Sequence, residues 1–262
     1  MRNLALMWVL AGCLLGCGGR DKNAQDKAAL AVDTVAITPD TYTTFTDDTY
    51  TTFTDTRDGK VYKIVEIGNQ TWFAENLNYA VEGSKCYGEG GNFLIYDEDN
   101  ESIITTLLNN GEPVTISKAE VQANCAKYGR LYNWETALTV CPAGTHLPTD
   151  DEWTTLVDYV GGEDTAGKKL KSTSGWINYQ EVSGNGTDEY GFLALPGGSG
   201  YSSDNFALAG SHCIWWTATE KNASNSWIRI IHSLYDVCKY NYIKTDLCSV
   251  RCVVDDEKEA QK

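Results

Sequence analysis

Cysteines are the residues of this sequence with the widest chemistry, because a thiol can be acylated, oxidised to a disulfide or bound to a metal. Cys13 lies within an apolar run at the N-terminus and Cys17 shortly after it, and the seven other cysteines lie from residue 86 to residue 252. An odd number in one domain leaves at least one thiol free or paired between chains. Cys248 and Cys252 have the spacing of half a zinc site, but no second Cys/His pair is suitably spaced to complete it.

Acid–base residues give little indication of catalysis. The three histidines are interpreted as packed or hydrogen-bonded structural side chains: His146, His212 and His232. Asp150, Asp151 and Glu152 could suggest the paired carboxylates of a glycosidase, but their position predicts helix-capping acids instead. No serine nucleophile elbow or phosphate-binding loop is present. A non-catalytic role is therefore favoured, and no cofactor is predicted. A structural calcium ion held by Asp and backbone oxygens stays an alternative.

Aromatic residues crowd the Gly-rich second half of the chain. Exposed rings can stack on sugar faces, whereas buried rings fill a core. We interpret Trp216 and Trp227 as core residues, because both fall within predicted strands. The candidate ligand-binding rings are Tyr201, Trp215, Tyr240 and Tyr242. The sequence lacks the paired motifs of calcium-dependent sugar binding, so that mode is not expected.

The charge of the chain narrows the class of partner. A formal net charge of −15 argues against nucleic acid, whose phosphates require clustered Lys and Arg. It also provides no polybasic patch for an anionic membrane surface. The expected partners are a polysaccharide or a surface protein, together with a membrane reached through a lipid anchor.

The N-terminus predicts that anchor. Arg2 precedes an apolar run over residues 4–15, which is too short to span a bilayer and is typical of a signal peptide. The LLGC at 14–17 resembles a bacterial lipobox, so residues 1–16 are expected to be removed and Cys17 lipidated; Cys13 is the alternative. An ordinary signal peptide that releases a soluble protein is a second alternative. The predicted location is the cell envelope, at the outer membrane and facing the periplasm or the cell exterior.

Residues 17–56 are predicted to form a disordered tether rich in Thr and Asp. DTYTTFTD occurs at 40–47 and is repeated without change at 48–55, which is too few copies for a solenoid. The alternative is that one copy forms an edge strand, since its residues favour β-structure. The second copy is the better candidate for that strand, because it adjoins the domain.

Residues 57–256 predict one α+β domain, followed by a polar tail at 257–262. The expected strands cover residues 60–67, 71–74, 214–219, 226–231 and 249–254. The expected helices cover residues 121–128, 134–140 and the segment from Thr149 to Gly161. Capping boxes mark two of the helix starts, at Ser117 with Glu120 and at Thr149 with Glu152. Residues 87–112 are acidic and are interpreted as an irregular insertion loop. If strands from both ends share a sheet, the domain closes on itself.

Ordered motifs recur along the domain: DGKVY at 58–62, QTWFAENLN at 70–78, YGRLYNW at 128–134, CPAGTHLPT at 141–149, EW at 152–153, WTATE at 216–220 and SVRCV at 249–253. In this order they resemble a known family, the Fibrobacter succinogenes major paralogous domain. Thr145 departs from the usual Trp, and the insertion after Cys86 is a second departure. The family is similar in turn to formylglycine-generating-enzyme and C-type-lectin-like folds. The resemblance implies a fold of mixed short strands, two to three helices and long Gly-rich loops, but no activity.

The resemblance also has implications for the cysteines. Its lectin-like relatives imply a Cys141–Cys252 disulfide, and Cys86–Cys125 is our second expected pair, across the acidic insertion. The pairing of Cys213, Cys238 and Cys248 stays open. An oxidase that holds copper between two cysteines is the enzymatic alternative, although residues 227–237, which correspond to that site, contain no cysteine. The leading prediction is a surface-tethered lipoprotein with a non-catalytic binding module for carbohydrate. A structural envelope protein is the remaining alternative.

Overall fold

The computed structural model describes residues 50–93, 95–97, 102–104, 108–109, 112–113, 116–179, 181–202, 205–233 and 237–255. The predicted signal peptide, both candidate lipidation cysteines, the first octapeptide copy and the polar tail lie outside these residues. The helices are α1 (Lys118–Tyr128), α2 (Trp134–Val140), α3 (Asp150–Tyr159) and α4 (Glu163–Leu170). The strands are β1 (Thr51–Thr54), β2 (Val61–Ile67), β3 (Gln70–Phe73), β4 (Asn92–Phe93), β5 (Ile95–Asp97), β6 (Ser102–Ile104), β7 (Leu108–Asn109), β8 (Glu112–Pro113), β9 (Leu131–Tyr132), β10 (Thr145–His146), β11 (Gly197–Gly200), β12 (Asn205–Ala209), β13 (His212–Glu220), β14 (Asn225–His232), β15 (Val237–Ile243), β16 (Cys248–Ser249) and β17 (Val253–Val254).

The first sheet joins the two ends of the domain, with strand order β1-β2-β3-β17-β10. The predicted hairpin of β2 and β3 is confirmed, and Gly68 at its turn has a φ of +66°. Val253 of β17 pairs with Trp72 of β3, so the domain closes on itself as the sequence suggested.

Strand β1 corrects the expected extent of the tether. It pairs along its whole length with β2, and the ring of Phe53 lies 5.3 Å from that of Phe73. The prediction of disorder up to residue 56 is therefore wrong for residues 51–54. The alternative, in which the second octapeptide copy forms an edge strand, is what the structure shows.

The second sheet is larger, with strand order β15-β14-β13-β11-β12-β4. Its antiparallel β13, β14 and β15 extend the two strands predicted here and add a third. Strand β16 pairs with β13 and β9, whereas β17 pairs with β3 and β10. The single strand predicted over residues 249–254 is therefore wrong, because the chain passes from one sheet to the other within it.

The helices begin where the sequence predicts. Both capping boxes are present, and Asn133 caps α2 through its side chain. Gly161 and Gly162 have φ values of +115° and +88° and separate α3 from α4. Helix α4 starts at once after this turn and was not predicted, so the expectation of two to three helices is wrong.

Two hydrophobic clusters fill the space on either side of β13, β14 and β15. Neighbouring residues of a strand point to opposite faces, so Trp216 lies in one cluster and Trp215 in the other. Helices α3 and α4 cover the Trp215 cluster through buried side chains that include Trp153 and Leu170. Neither tryptophan is left with an unpaired donor, because Trp215 Nε1 donates to Asn76 Oδ1 at 2.8 Å and Trp216 Nε1 to the Tyr132 carbonyl at 2.7 Å.

The acidic insertion is more ordered in its backbone than expected. Strand β4 pairs with β12, β5 pairs with β6, and β7 pairs with β8. The prediction of an irregular loop over residues 87–112 is therefore wrong for these short segments.

Both expected disulfides are confirmed, Cys86–Cys125 and Cys141–Cys252. Among the described residues, Cys213 and Cys248 are the buried free thiols. None of the four helices that the structure describes is long and apolar enough to cross a membrane.

Candidate functional site

Three of the four predicted ligand-binding rings are buried in the core. Tyr201 and Tyr242 are each 4% exposed and Trp215 is fully buried, so the prediction that these rings stack on sugar is wrong. Trp215 and Tyr242 lie on strands whose inner faces pack against the two clusters, and Tyr201 directly follows β11. Tyr240 is half-buried and packs against the Trp216 cluster.

Trp227, like Tyr240, is an aromatic residue that reaches the surface of the second sheet. It was expected in the core, but its side chain is only half-buried on β14. Asn241 of β15 is the residue paired with Trp227, and Asn225 Nδ2 donates to Asn241 Oδ1 at 3.1 Å. Lys239 Nζ and Lys221 Nζ lie 4.2 Å and 4.9 Å from the centre of the indole ring. We call these five residues the Trp227 face.

Asp150 at the start of α3 fixes the position of Lys239 beside Trp227. Asp150 Oδ1 accepts from Arg229 Nε at 2.8 Å, and its Oδ2 accepts from Lys239 Nζ at 2.6 Å. Arg229 Nη2 also donates to Thr154 Oγ1 at 2.8 Å. Two cations share one carboxylate here, so the surroundings of Trp227 are locally positive within an acidic chain.

The carboxylates at the start of α3 do not form a glycosidase pair. Asp150 is engaged by Arg229 and Lys239, and Glu152 completes the Thr149 capping box. Asp151 is exposed in the first turn. Their interpretation as helix-start acids is confirmed for all three, and Asp150 has an additional role as the acceptor for Arg229 and Lys239.

His146 is held between two carboxylates. Its Nε2 lies 2.7 Å from Glu152 Oε1, and its Nδ1 lies 2.6 Å from Asp255 Oδ1. The hydrogen bond to Glu152 raises the pKa of His146 to about 9, against the opposing effect of burial and with further support from Asp255. The imidazolium therefore links α3 to the residue that follows β17, which agrees with a structural role.

His212 and His232 face each other across β13 and β14, with ring centres 4.3 Å apart. Burial lowers the pKa of His232 to about 4 and holds the pKa of His212 well below its usual value. Both rings are therefore neutral at pH 7. Ser211 Oγ lies 2.7 Å from His212 Nδ1, which gives that ring a hydrogen-bonded structural position.

The cysteines do not fit a copper or zinc site. Cys252 is bonded to Cys141, so it is not available as a thiolate beside Cys248. Burial raises the pKa of both free thiols, Cys213 and Cys248, which keeps them protonated and poor metal ligands. Within the described ranges, no group of three or more His, Cys, Asp or Glu side chains is arranged to hold a metal ion.

Arg251 is the functional candidate that the sequence analysis missed, apart from its place in the SVRCV motif. It is 1% exposed, and burial lowers the pKa of its guanidinium to about 10, so it stays cationic at neutral pH. Its Nε and Nη2 donate to Asn76 Oδ1 at 3.0 Å and 2.8 Å. Its Nη1 donates to the carbonyls of Phe73 and Phe192 at 3.1 Å and 2.6 Å. An arginine within a short apolar strand motif was the signal available in the sequence.

A cavity of about 110 Å³ lies against this arginine. We call it the Arg251 cavity. Its polar lining includes Lys60, Glu75, Asn76, Asn78, Lys127 and Arg251. Its apolar lining includes Ala74, Leu193 and Leu195. It is thus a small, partly apolar space with a cationic side chain in its wall.

Comparison with known proteins gives a family and nothing more specific. No curated protein matches the chain. No solved structure matches it either. The model of the Fibrobacter succinogenes major domain matches residues 65–254, which is most of the chain, and the chain therefore belongs to that family.

Proposed function

We propose that this chain is an exported, lipid-anchored protein of the cell envelope whose domain binds carbohydrate without transforming it. Two features support export. The LLGC at 14–17 resembles a lipobox, and the described part of the domain contains the disulfides Cys86–Cys125 and Cys141–Cys252, which are typical of proteins outside the reducing cytosol. We also propose a C-type-lectin-like or formylglycine-generating-enzyme-like fold. That proposal is supported by the meeting of both domain ends in one sheet and by the Cys141–Cys252 bridge beside the last strand.

The Trp227 face is the observation that carries the carbohydrate proposal. A partly exposed indole offers a flat apolar surface to the C–H groups of a sugar ring. The amides of Asn225 and Asn241 each use one of their several hydrogen-bonding positions in their mutual bond, which leaves others for hydroxyl groups. Lys239 Nζ and Lys221 Nζ lie over the ring and add donors for the hydroxyl groups of a sugar that packs beside them. An apolar surface with a few fixed polar groups is the usual composition of a small-molecule site.

A glycan array and a polysaccharide pull-down test this proposal, with the full chain in detergent and with cellulose among the polymers. We expect retention on at least one glycan and a loss of about tenfold in affinity for Trp227→Ala. Tyr159→Ala is the matched control, because Tyr159 is an aromatic residue 59% exposed on α3, outside this face. The absence of retention on every glycan, or an equal loss in both variants, would overturn the proposal.

Metabolic labelling with palmitate tests the anchor independently. Cys17 is the proposed attachment site and Cys13 the alternative, and both lie outside the described residues. We expect label in the wild-type protein and none in Cys17→Ala. Label that survives Cys17→Ala but disappears in Cys13→Ala would move the attachment to Cys13, and an unlabelled wild-type protein would overturn the lipid anchor.

A further inference from the structure

We propose that the Arg251 cavity is a binding site for a small carboxylate, separate from the Trp227 face. No residue that lines the cavity belongs to that face. The volume of about 110 Å³ suits a small organic acid and is well below the roughly 300 Å³ and more of pockets that enclose larger ligands. The proposal concerns a second site, so it stands or falls independently of carbohydrate binding.

Arg251 has no hydrogen-bonded counter-charge among the described residues, although Glu75 and Asp188 act on it through space. All four of its hydrogen bonds go to neutral oxygens, namely the Asn76 amide and the carbonyls of Phe73 and Phe192. No carboxylate forms an ion pair with it in the part of the chain that the structure describes. A buried cation without a hydrogen-bonded counter-charge is costly, so an anion that enters the cavity would be stabilised by it.

One N–H group of the Arg251 guanidinium has no hydrogen-bond acceptor within the described ranges. A guanidinium has five N–H groups, and the four bonds use the Nε hydrogen, both Nη1 hydrogens and one Nη2 hydrogen. One Nη2 hydrogen is left, and Arg251 is part of the cavity lining. A carboxylate oxygen would accept from this group in a charge-assisted hydrogen bond, which a neutral ligand could not match.

The lining of the cavity contains more cationic than acidic side chains. Lys60, Lys127 and Arg251 are opposed by one acid, Glu75, whose Oε2 already accepts from the Lys63 backbone N–H at 2.9 Å. The cavity is therefore positive within a chain whose formal net charge is −15. Such local focusing of potential favours an anion.

The apolar part of the lining selects among anions. Ala74, Leu193 and Leu195 provide contact for a methyl or methylene group, which a carboxylic acid has and an inorganic anion does not. Contacts of Arg251 with the rings of Phe192 and Trp215, at 4.5 Å and 5.5 Å, explain how the arginine is held in place. The two lysines of the lining have aromatic contacts of their own, with Lys60 Nζ 5.2 Å from the ring centre of Tyr62 and Lys127 Nζ 4.7 Å from that of Tyr128.

The test uses the full chain and four probes: sodium acetate, sodium propionate, acetamide and sodium phosphate, all at matched ionic strength. We expect acetate or propionate to raise the melting temperature by about 3 °C at saturating concentration, and acetamide to leave it unchanged. Isothermal titration calorimetry should then give an affinity for the same acid. Absence of a shift with both acids, or an equal shift with acetamide, would overturn the proposal, and a response to phosphate alone would overturn the assignment to carboxylates.

Variants in the lining locate the site without unfolding the core. The double variant Lys60→Gln/Lys127→Gln should weaken acetate or propionate binding by about threefold to tenfold, because it removes two cations from the lining. Lys118→Gln is the matched control, since Lys118 is an exposed residue at the start of α1 and is not part of the lining. An affinity unchanged in the double variant, or reduced equally in the control, would place the acid elsewhere and overturn the proposal.

Discussion

Tryptophan side chains connect parts of the core that are distant in the sequence. Each of four indole N–H groups donates to an atom of another element or loop: Trp134 to the Thr217 carbonyl, Trp176 to the Ala194 carbonyl, Trp215 to Asn76 Oδ1 and Trp216 to the Tyr132 carbonyl. Burial of an indole N–H without an acceptor destabilises the folded state, so these hydrogen bonds make burial of the rings favourable. Asn76 Oδ1 also accepts from Arg251, which joins the tryptophan network to the Arg251 cavity.

His146 predicts a pH dependence of stability at the residue scale. Its pKa in the folded state is about 9, above the unfolded value near 6.5, so the stabilisation is fully present below about pH 6.5 and is lost as the pH rises through 9. Because the side chain is 38% exposed, solvent screening limits the contribution to about 1 kcal/mol. Urea unfolding of the wild-type protein and of His146→Gln between pH 5.5 and 9.5 measures it.

The difference between the two proteins should be largest near pH 6 and should disappear near pH 9.5. Below this window the partner carboxylate matters instead. Burial opposes ionisation of Glu152, but hydrogen bonds from His146 and Thr149 hold its pKa below the usual value. A difference in the free energy of unfolding that stays constant from pH 6 to 9.5 would contradict the role assigned to the His146 charge.

At the scale of elements, local signals predicted the helices better than the strands. Ser117 and Thr149 mark helix starts through side-chain hydrogen bonds within four residues, and such signals are complete in the sequence. Helix α4 has no side-chain cap, so its local signal was weaker: Glu163 and Asp164 in its first turn, and Lys168 and Lys169 in its last turn. Strand β11 has the sequence GGSG, whose residues do not favour β-structure, although it pairs with the adjoining β12. Strand β15, VCKYNYI, forms a hairpin with the preceding β14 and was missed although its residues do favour β-structure.

The octapeptide repeat gives a prediction for β1. Phe53 packs on Phe73, and Asp55 after the strand accepts from Arg57 Nε and Nη2 at 2.9 Å and 2.7 Å. In the first copy the residue two places after the corresponding aspartate is Thr49, so this ion pair cannot form. We therefore expect Phe53→Ala to lower the free energy of unfolding by about 1–2 kcal/mol, because a half-buried ring is lost.

Phe45→Ala is the control for this prediction, because Phe45 has the same neighbours in the first copy of the repeat. It lies outside the described residues. Chemical denaturation of both variants, followed by tryptophan fluorescence, makes the comparison. An equal loss of stability in the two variants would show that the first copy also contributes to the folded domain, and would contradict the assignment of the strand to the second copy.

At the scale of the whole molecule, the candidate sites illustrate what sequence alone leaves undetermined. Composition indicated a binding role for aromatic residues, but it could not decide which rings face outward. Trp215 and Tyr242 point into the two clusters that cover the faces of the second sheet, whereas Trp227 belongs to neither cluster and is only partly buried. The Arg251 cavity is formed by residues from distant parts of the chain, so only the fold brings Lys60, Lys127 and Arg251 together.

The disulfides Cys141–Cys252 and Cys86–Cys125, both within the described residues, predict how the domain responds to the loss of a crosslink. Cys141–Cys252 spans 111 residues and Cys86–Cys125 spans 39. In the chain-entropy model, these loops correspond to about 4.8 and about 3.9 kcal/mol of stabilisation. Cys141→Ala/Cys252→Ala should therefore lower the free energy of unfolding more than Cys86→Ala/Cys125→Ala. Cys252 is also fully buried in the Trp216 cluster, so its truncation adds a packing loss to the entropic one.

Urea denaturation of both double variants, with peptide mapping to verify the remaining bridge, measures which pair contributes more to the free energy of unfolding. A larger loss for the Cys86–Cys125 pair would contradict the assignment of the longer bridge as the main crosslink between the sheet that joins the domain ends and the rest of the fold.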